Sequence, residues 1–221
     1  MFCFGRAESP CYDSAMKYDA FTTLDEQQAA FLLERAGALL DGAPFAGVVP
    51  RVLSRALPFY HGYTLIEMVA RDTHPPVVRS FIRRDSDDTL TLLDWTNEPV
   101  YALNQSAPIS LSRETVCAYV KFFFTYIKGK HGRFLIVDNP DEIDWKDEPP
   151  PAGRKALAKM IEPLSILRAD QDGTFHLQAS MIFKDSLFAA KIAVDPAGLV
   201  TLYDEELLVE DIPVRDDSTG L

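Results

Sequence analysis

The chain has 221 residues, 47% of them hydrophobic and 25% charged, and a formal net charge of −11. A chain of that length buries roughly 70% of the surface its unfolded form exposes, so it needs no disulfide or metal to hold a core. The acidic balance argues against nucleic acid as a partner, because neutralising phosphates takes a basic surface.

The longest apolar runs fall far below the ~18 residues of a membrane-spanning helix. Residues 1–20 carry Arg6, Glu8, Asp13, Lys17 and Asp19 and lack the apolar core of a secretion signal. Three cysteines, Cys3, Cys11 and Cys117, cannot all pair with one another, and an odd count without a secretion signal points to a reducing compartment. The expectation is a cytoplasmic protein with no membrane span. Its excess charge is concentrated. Residues 138–148 hold six acids against Lys146, and residues 204–217 hold seven against Arg215, which together make up the whole net charge. Residues 51–84 and 113–133 are each net positive by four.

Residues 1–20 read as an irregular segment. Thr23 and Glu26 then fit a capping box, and Ala29, Leu32, Leu33, Ala36, Leu39 and Leu40 form one helical stripe. The spacing predicts a helix over 24–40 that stops at Gly42. Prolines 44, 50 and 58 mark a loop with a short helix near 48–56. Strands are expected over 60–70, 77–84 and 89–95, the last two forming a hairpin around Asp85-Ser86-Asp87-Asp88. Residues 99–103 read as an edge strand, where a proline is tolerated.

The strongest helix is expected over 112–128. Ser112 and Glu114 suit its start, Val116, Val120, Phe123, Phe124 and Ile127 its buried face, and Lys128, Gly129 and Lys130 its end. A short strand over 133–137 follows. Residues 138–153, acidic and ending in three prolines, read as a linker. Four strands are then predicted over 160–169, 174–183, 187–194 and 199–203, each separated by a turn rich in Gly, Pro or Asp. Phe175, Leu177, Ala179, Met181 and Phe183 alternate with His176, Gln178 and Ser180, with Ile182 breaking the polar series, as in a sheet with one dry face.

The fold class is therefore α+β, with helices packed on antiparallel sheet. The segments are 1–20, then 21–110 as helix plus strands, then 111–221 as helix plus four-stranded meander with an acidic end. The element order of the second half resembles the architecture of cystatin-like and NTF2-like folds. That resemblance rests on element order alone.

The sequence carries no H-E-x-x-H, C-x-x-C, G-x-S-x-G or phosphate-cradling motif, and no metal or cofactor is expected. Cys117 lies beside the apolar face of the strongest helix, where a thiol usually serves as a small hydrophobe. Lys128, Lys130, His131 and Arg133 could grip an anion, although cations at a helix end also suit its dipole. His176, Gln178 and Ser180 share one strand face and are pocket candidates if the sheet curls. Two functions follow. The first is a non-enzymatic binding or adaptor module whose acidic segments recognise a basic partner. The second is a small-molecule-binding protein or acid–base enzyme with a pocket between helix 112–128 and the meander, using His176, or His131 with Asp138.

Overall fold

The computed structural model describes residues 20–107, 109–129 and 132–215. Two compact units divide the chain between Ser110 and Leu111. Among the described residues there are four α-helices and two antiparallel sheets of five strands each. This is the expected α+β class. No helix among these residues is long and apolar enough to cross a membrane.

The first unit contains β1 (Thr22–Thr23), α1 (Glu26–Gly37), β2 (Arg51–Ala56), β3 (Tyr63–Ala70), β4 (Val77–Arg84), β5 (Thr89–Leu93) and α2 (Glu98–Ser106). Its strands form a meander in sequence order. Leu32 and Ala36 of α1 are buried with Val52, Ile66, Met68, Phe81 and Leu90. The expected helix start moves by two residues. Asp25 is the cap, its Oδ1 accepting from Gln28 N at 2.8 Å. Thr23 instead pairs with Leu53 in the sheet, which takes it out of reach of a helix cap. The short helix expected near 48–56 is strand β2, paired with β3 along its whole length. Its local pattern is ambiguous, and the ladder with the strongly β-forming Tyr63–Ala70 decides it. The hairpin at Asp85–Asp88 is as expected. The expected edge strand at 99–103 is helix α2. Pro99 sits in its first turn, where no amide is needed, and Val100 and Leu103 are buried at helical spacing.

The second unit contains α3 (Val116–Tyr126), β6 (Phe134–Val137), a 3-10 turn (Pro140–Glu142), α4 (Pro151–Met160), β7 (Ser165–Ala169), β8 (Phe175–Phe183), β9 (Ser186–Val194) and β10 (Val200–Val209). β8 is the central strand. One edge pairs with β9 along its full length. The other edge is shared: β7 pairs with the start of β8, and β6 with its end. Phe175, Leu177, Ala179 and Met181 are buried along one face. Helix α3 is buried on most sides, and the Tyr119 hydroxyl ties it to the β9–β10 turn by donating to Gly198 O at 2.6 Å. Gly173, at φ +89 in the β7–β8 turn, is required there. A Cβ would meet Pro196 Cγ at 3.0 Å.

Three expectations change in this unit. The residues after the triple proline form helix α4 rather than linker and strand, because Pro151 can occupy the first turn of a helix. The fourth meander strand runs on to Val209, through the acids at 204–206, which an exposed edge strand accommodates. The second face of β8 is dry at one end. Ile182 and Leu187 are buried there with Val137, Ile143, Ile161 and Ile212.

A polar junction holds this arrangement where β6 and β7 meet on β8. Asp138, its side chain 7% exposed, accepts from Lys121 Nζ of α3 at 2.5 Å and from Leu164 N at 2.9 Å. The buried Ser180 hydroxyl accepts from Glu162 N at 2.8 Å, and Ser180 N donates to Glu162 O. Lys121 is 28% exposed and can turn to water, so the main loss on removing Asp138 is the partner of the Leu164 amide, at a cost of about 1–3 kcal/mol. Asp138→Ala is expected to lower stability on that order, and Asp138→Asn by less, because the amide oxygen still accepts from Leu164. Urea unfolding of the two variants checks the ranking, and equal stability of both with the parent would refute it.

Candidate functional site

The two acidic stretches of the sequence come together. Residues 144–146 run antiparallel to 213–215 through a Trp145–Val214 bridge. Lys146 N donates to Pro213 O at 2.8 Å, and Arg215 N to Asp144 O at 2.9 Å. This pairing walls a cleft of about 340 Å³. Trp145, Leu157, Val209 and Ile212 supply apolar lining, with Pro149, Pro150 and Pro213. Asp147, Glu148, Glu210 and Asp211 stand at its rim, all exposed.

The surroundings fix this geometry. Trp145 Nε1 donates to Pro140 O at 3.2 Å, which orients the indole. Asp211 holds φ +57, a region where Asp is better tolerated than most residues. Ile212 N then donates to Asp185 O at 2.8 Å and carries the isoleucine into the core. Several acids near the cleft are already matched. Arg154 of α4 pairs with both Asp141 and Glu148, and the hydrogen bond to Asp141 is the main cause raising its pKa above the usual guanidinium value. Arg215 pairs with Asp144 at 3.3 Å. Asp147, Glu210 and Asp211 make no ion pair among the described residues. The cleft thus offers apolar contact beneath three uncompensated carboxylates.

The candidate residues on β8 separate. Ser180 is buried and committed to Glu162, so it lines no opening. Gln178 is half-buried between Ser165 of β7 and Lys191 of β9. His176 alone heads a polar cluster. Its Nε2 lies 2.9 Å from both Asp170 Oδ2 and Arg168 NH2, and its Nδ1 3.4 Å from the Tyr203 hydroxyl. One ring nitrogen cannot donate to Asp170 and accept from Arg168 at once, so the tautomer decides which contact is a hydrogen bond. Arg168 stands opposite His176 in the hairpin register. Tyr203 reaches across β9, where His176 faces the small Ala193.

In the basic turn after α3, Arg133 reaches back to the helix end. Arg133 NH1 donates to Thr125 O at 2.9 Å. Burial lowers the pKa of Arg133, and burial followed by the Arg133 charge lowers that of Lys128. Lys130 and His131 lie outside the described residues, so the pairing of His131 with Asp138 does too. Asp138 itself is engaged by Lys121 and Leu164. Among the described residues no group of three or more His, Cys, Asp or Glu is placed to hold a metal ion.

No protein-family model matches the chain, and no curated protein or solved structure does either.

The sequence singled out the charge of the two acidic segments and His176. It did not reveal Trp145, Leu157 and Ile212 as a shared floor, because that contact joins distant segments. Asp170 and Arg168 were within reach, since a tight turn sets their register against His176.

Cys117 corrects an expectation. It is buried, as predicted, but it is disulfide-bonded rather than a free thiol. A disulfide at Cys117 uses two of the three cysteines in the sequence. Thiol titration of the denatured, unreduced protein should give one free thiol per chain, rising to three after reduction. Three before reduction would contradict it.

Proposed function

We propose that the protein is a non-enzymatic binding module that recognises a basic partner through the acidic-rimmed apolar cleft. One observation supports the reading above others: two acidic segments far apart in the chain are hydrogen-bonded side by side around a cleft, and three of its four rim carboxylates, Asp147, Glu210 and Asp211, make no ion pair among the described residues. The partner chemistry follows from the lining. An aliphatic side chain suits the Trp145–Leu157–Ile212 floor, and flanking Lys or Arg groups suit Asp147, Glu210 and Asp211. The same carboxylates repel phosphate, which disfavours nucleic acid.

A peptide carrying leucine between arginines is the probe, with tryptophan emission and calorimetry as readouts. Binding should weaken with salt, since the screening length falls from about 10 Å at 0.1 M to about 3 Å at 1 M. The triple variant D147N/E210Q/D211N should lose at least tenfold in affinity at low salt and match the parent at 1 M. Unchanged affinity at low salt would overturn the reading.

A second reading has one specific support. The His176–Asp170 contact at 2.9 Å, with Tyr203 beside it, has the form of an acid–base group held by a carboxylate. On that reading His176→Ala abolishes a turnover that the cleft variant leaves intact. Hydrolase and isomerase substrate panels would show it, and retention of any activity found would dismiss His176 as its base.

A further inference from the structure

We infer that β10 is a strand-addition site, at which an extended basic segment of the partner pairs with the open edge of the sheet. The inference rests on the proposed recognition of a basic partner and specifies how that partner is held.

β10 ends the order β10-β9-β8-β6, so only its inner side is paired. Five consecutive residues, Tyr203 to Leu207, are exposed, with Tyr203 at 48% and Leu207 at 45%. Register shifts at Tyr203 and Leu208 bound a regular stretch, Asp204 to Leu207, set against Lys191 to Phe188 of β9. The outer backbone groups of that stretch make no hydrogen bond among the described residues. An edge of this kind is a template for another strand unless proline, charged side chains, bulges or a covering element blunts it. Asp204–Leu207 holds no proline and no lysine; its acids and the flanking bulges guard the edge against an acidic strand but leave it open to a basic one.

Charge selects the occupant. By alternation, Asp204 and Glu206 project from one face, and Glu205 and Leu207 from the other. Lys191 pairs with Asp204 at 2.6 Å, whereas Glu205 and Glu206 have no ion pair among the described residues. A second copy aligned on this stretch would set acids opposite acids, which destabilises cross-strand pairs. A strand with lysines on one face and aliphatic groups on the other instead meets Asp204 and Glu206 with cations and Leu207 with an apolar neighbour. Backbone hydrogen bonds then supply affinity and the side chains supply selection.

The probe is an acetylated, amidated heptapeptide of alternating Lys and Val, titrated into the full chain. Its twin is N-methylated at alternate residues, which keeps every charge but removes backbone donors. The expected result is binding with slowed amide exchange at Asp204–Leu207, a loss of at least tenfold for the methylated twin, and a similar loss for E205K/E206K. Equal binding of both peptides would overturn strand addition and leave acidic recognition standing. Failure of both to bind at low salt would also overturn strand addition, while recognition at the cleft stands or falls on the arginine-flanked leucine peptide. Dimerisation of the chain that protects the same amides would also overturn the inference, by assigning the edge to a second copy.

Discussion

The shared edge of β8 governs the second unit. β7 occupies the first half of that edge and β6 the second, so the chain must leave the sheet after Val137 and rejoin it near Ser165 at almost the same place. A sheet edge left vacant between them would expose backbone groups that folding must satisfy. Asp138 and Ser180 meet that requirement by accepting the amides of Leu164 and Glu162. Lys121 then neutralises Asp138 and fastens α3 to the junction.

The cleft is a consequence of that constraint. The excursion through residues 138–164 has nowhere to pack except over the adjacent sheet face. There Ile143, Ile161 and Leu157 meet Ile182 and Leu187. The chain after β10 returns over the same face, bringing Ile212 and Val214. Two polypeptide segments covering one apolar surface compete for it, and they pair with each other at Trp145 and Val214. Their charged side chains cannot follow the apolar ones inward, because burying an unpaired carboxylate is prohibitive. They collect at the rim.

The legible part of the fold was local. Turns with Asp, Gly or Pro located the β4–β5 hairpin and the joints of the meander, since each turn residue has a fixed backbone demand. Period-two alternation on β8 identified the buried Phe175, Leu177 and Met181. Even Ile182, the one break in the polar series, marked the place where the second face is covered. Proline misled twice, at Pro99 and Pro151, because the same missing amide suits an edge strand, a linker or a first helical turn. The buried spacing of Val100 and Leu103 was the better guide at the first. β2 and the extension of β10 depend on partners distant in sequence, and the cleft depends on two such segments at once. No local pattern could supply them.

The distribution of paired and unpaired acids separates what folding uses from what it leaves over. Asp25 caps a helix, Asp138 holds the sheet junction, Asp87 receives both Arg84 and Thr89 N at the hairpin, and Asp144 and Asp204 have cationic partners. Each has a structural task visible in its contacts. Asp147, Glu205, Glu206, Glu210 and Asp211 make no ion pair among the described residues; two of them lie on β10 and three at the cleft. Like charges about 8 Å apart repel by about 0.5 kcal/mol in water, so crowding them opposes folding slightly rather than helping it. Where such acids crowd an open strand edge and the rim of an apolar cleft, the proposed cationic partner would offset that cost on binding.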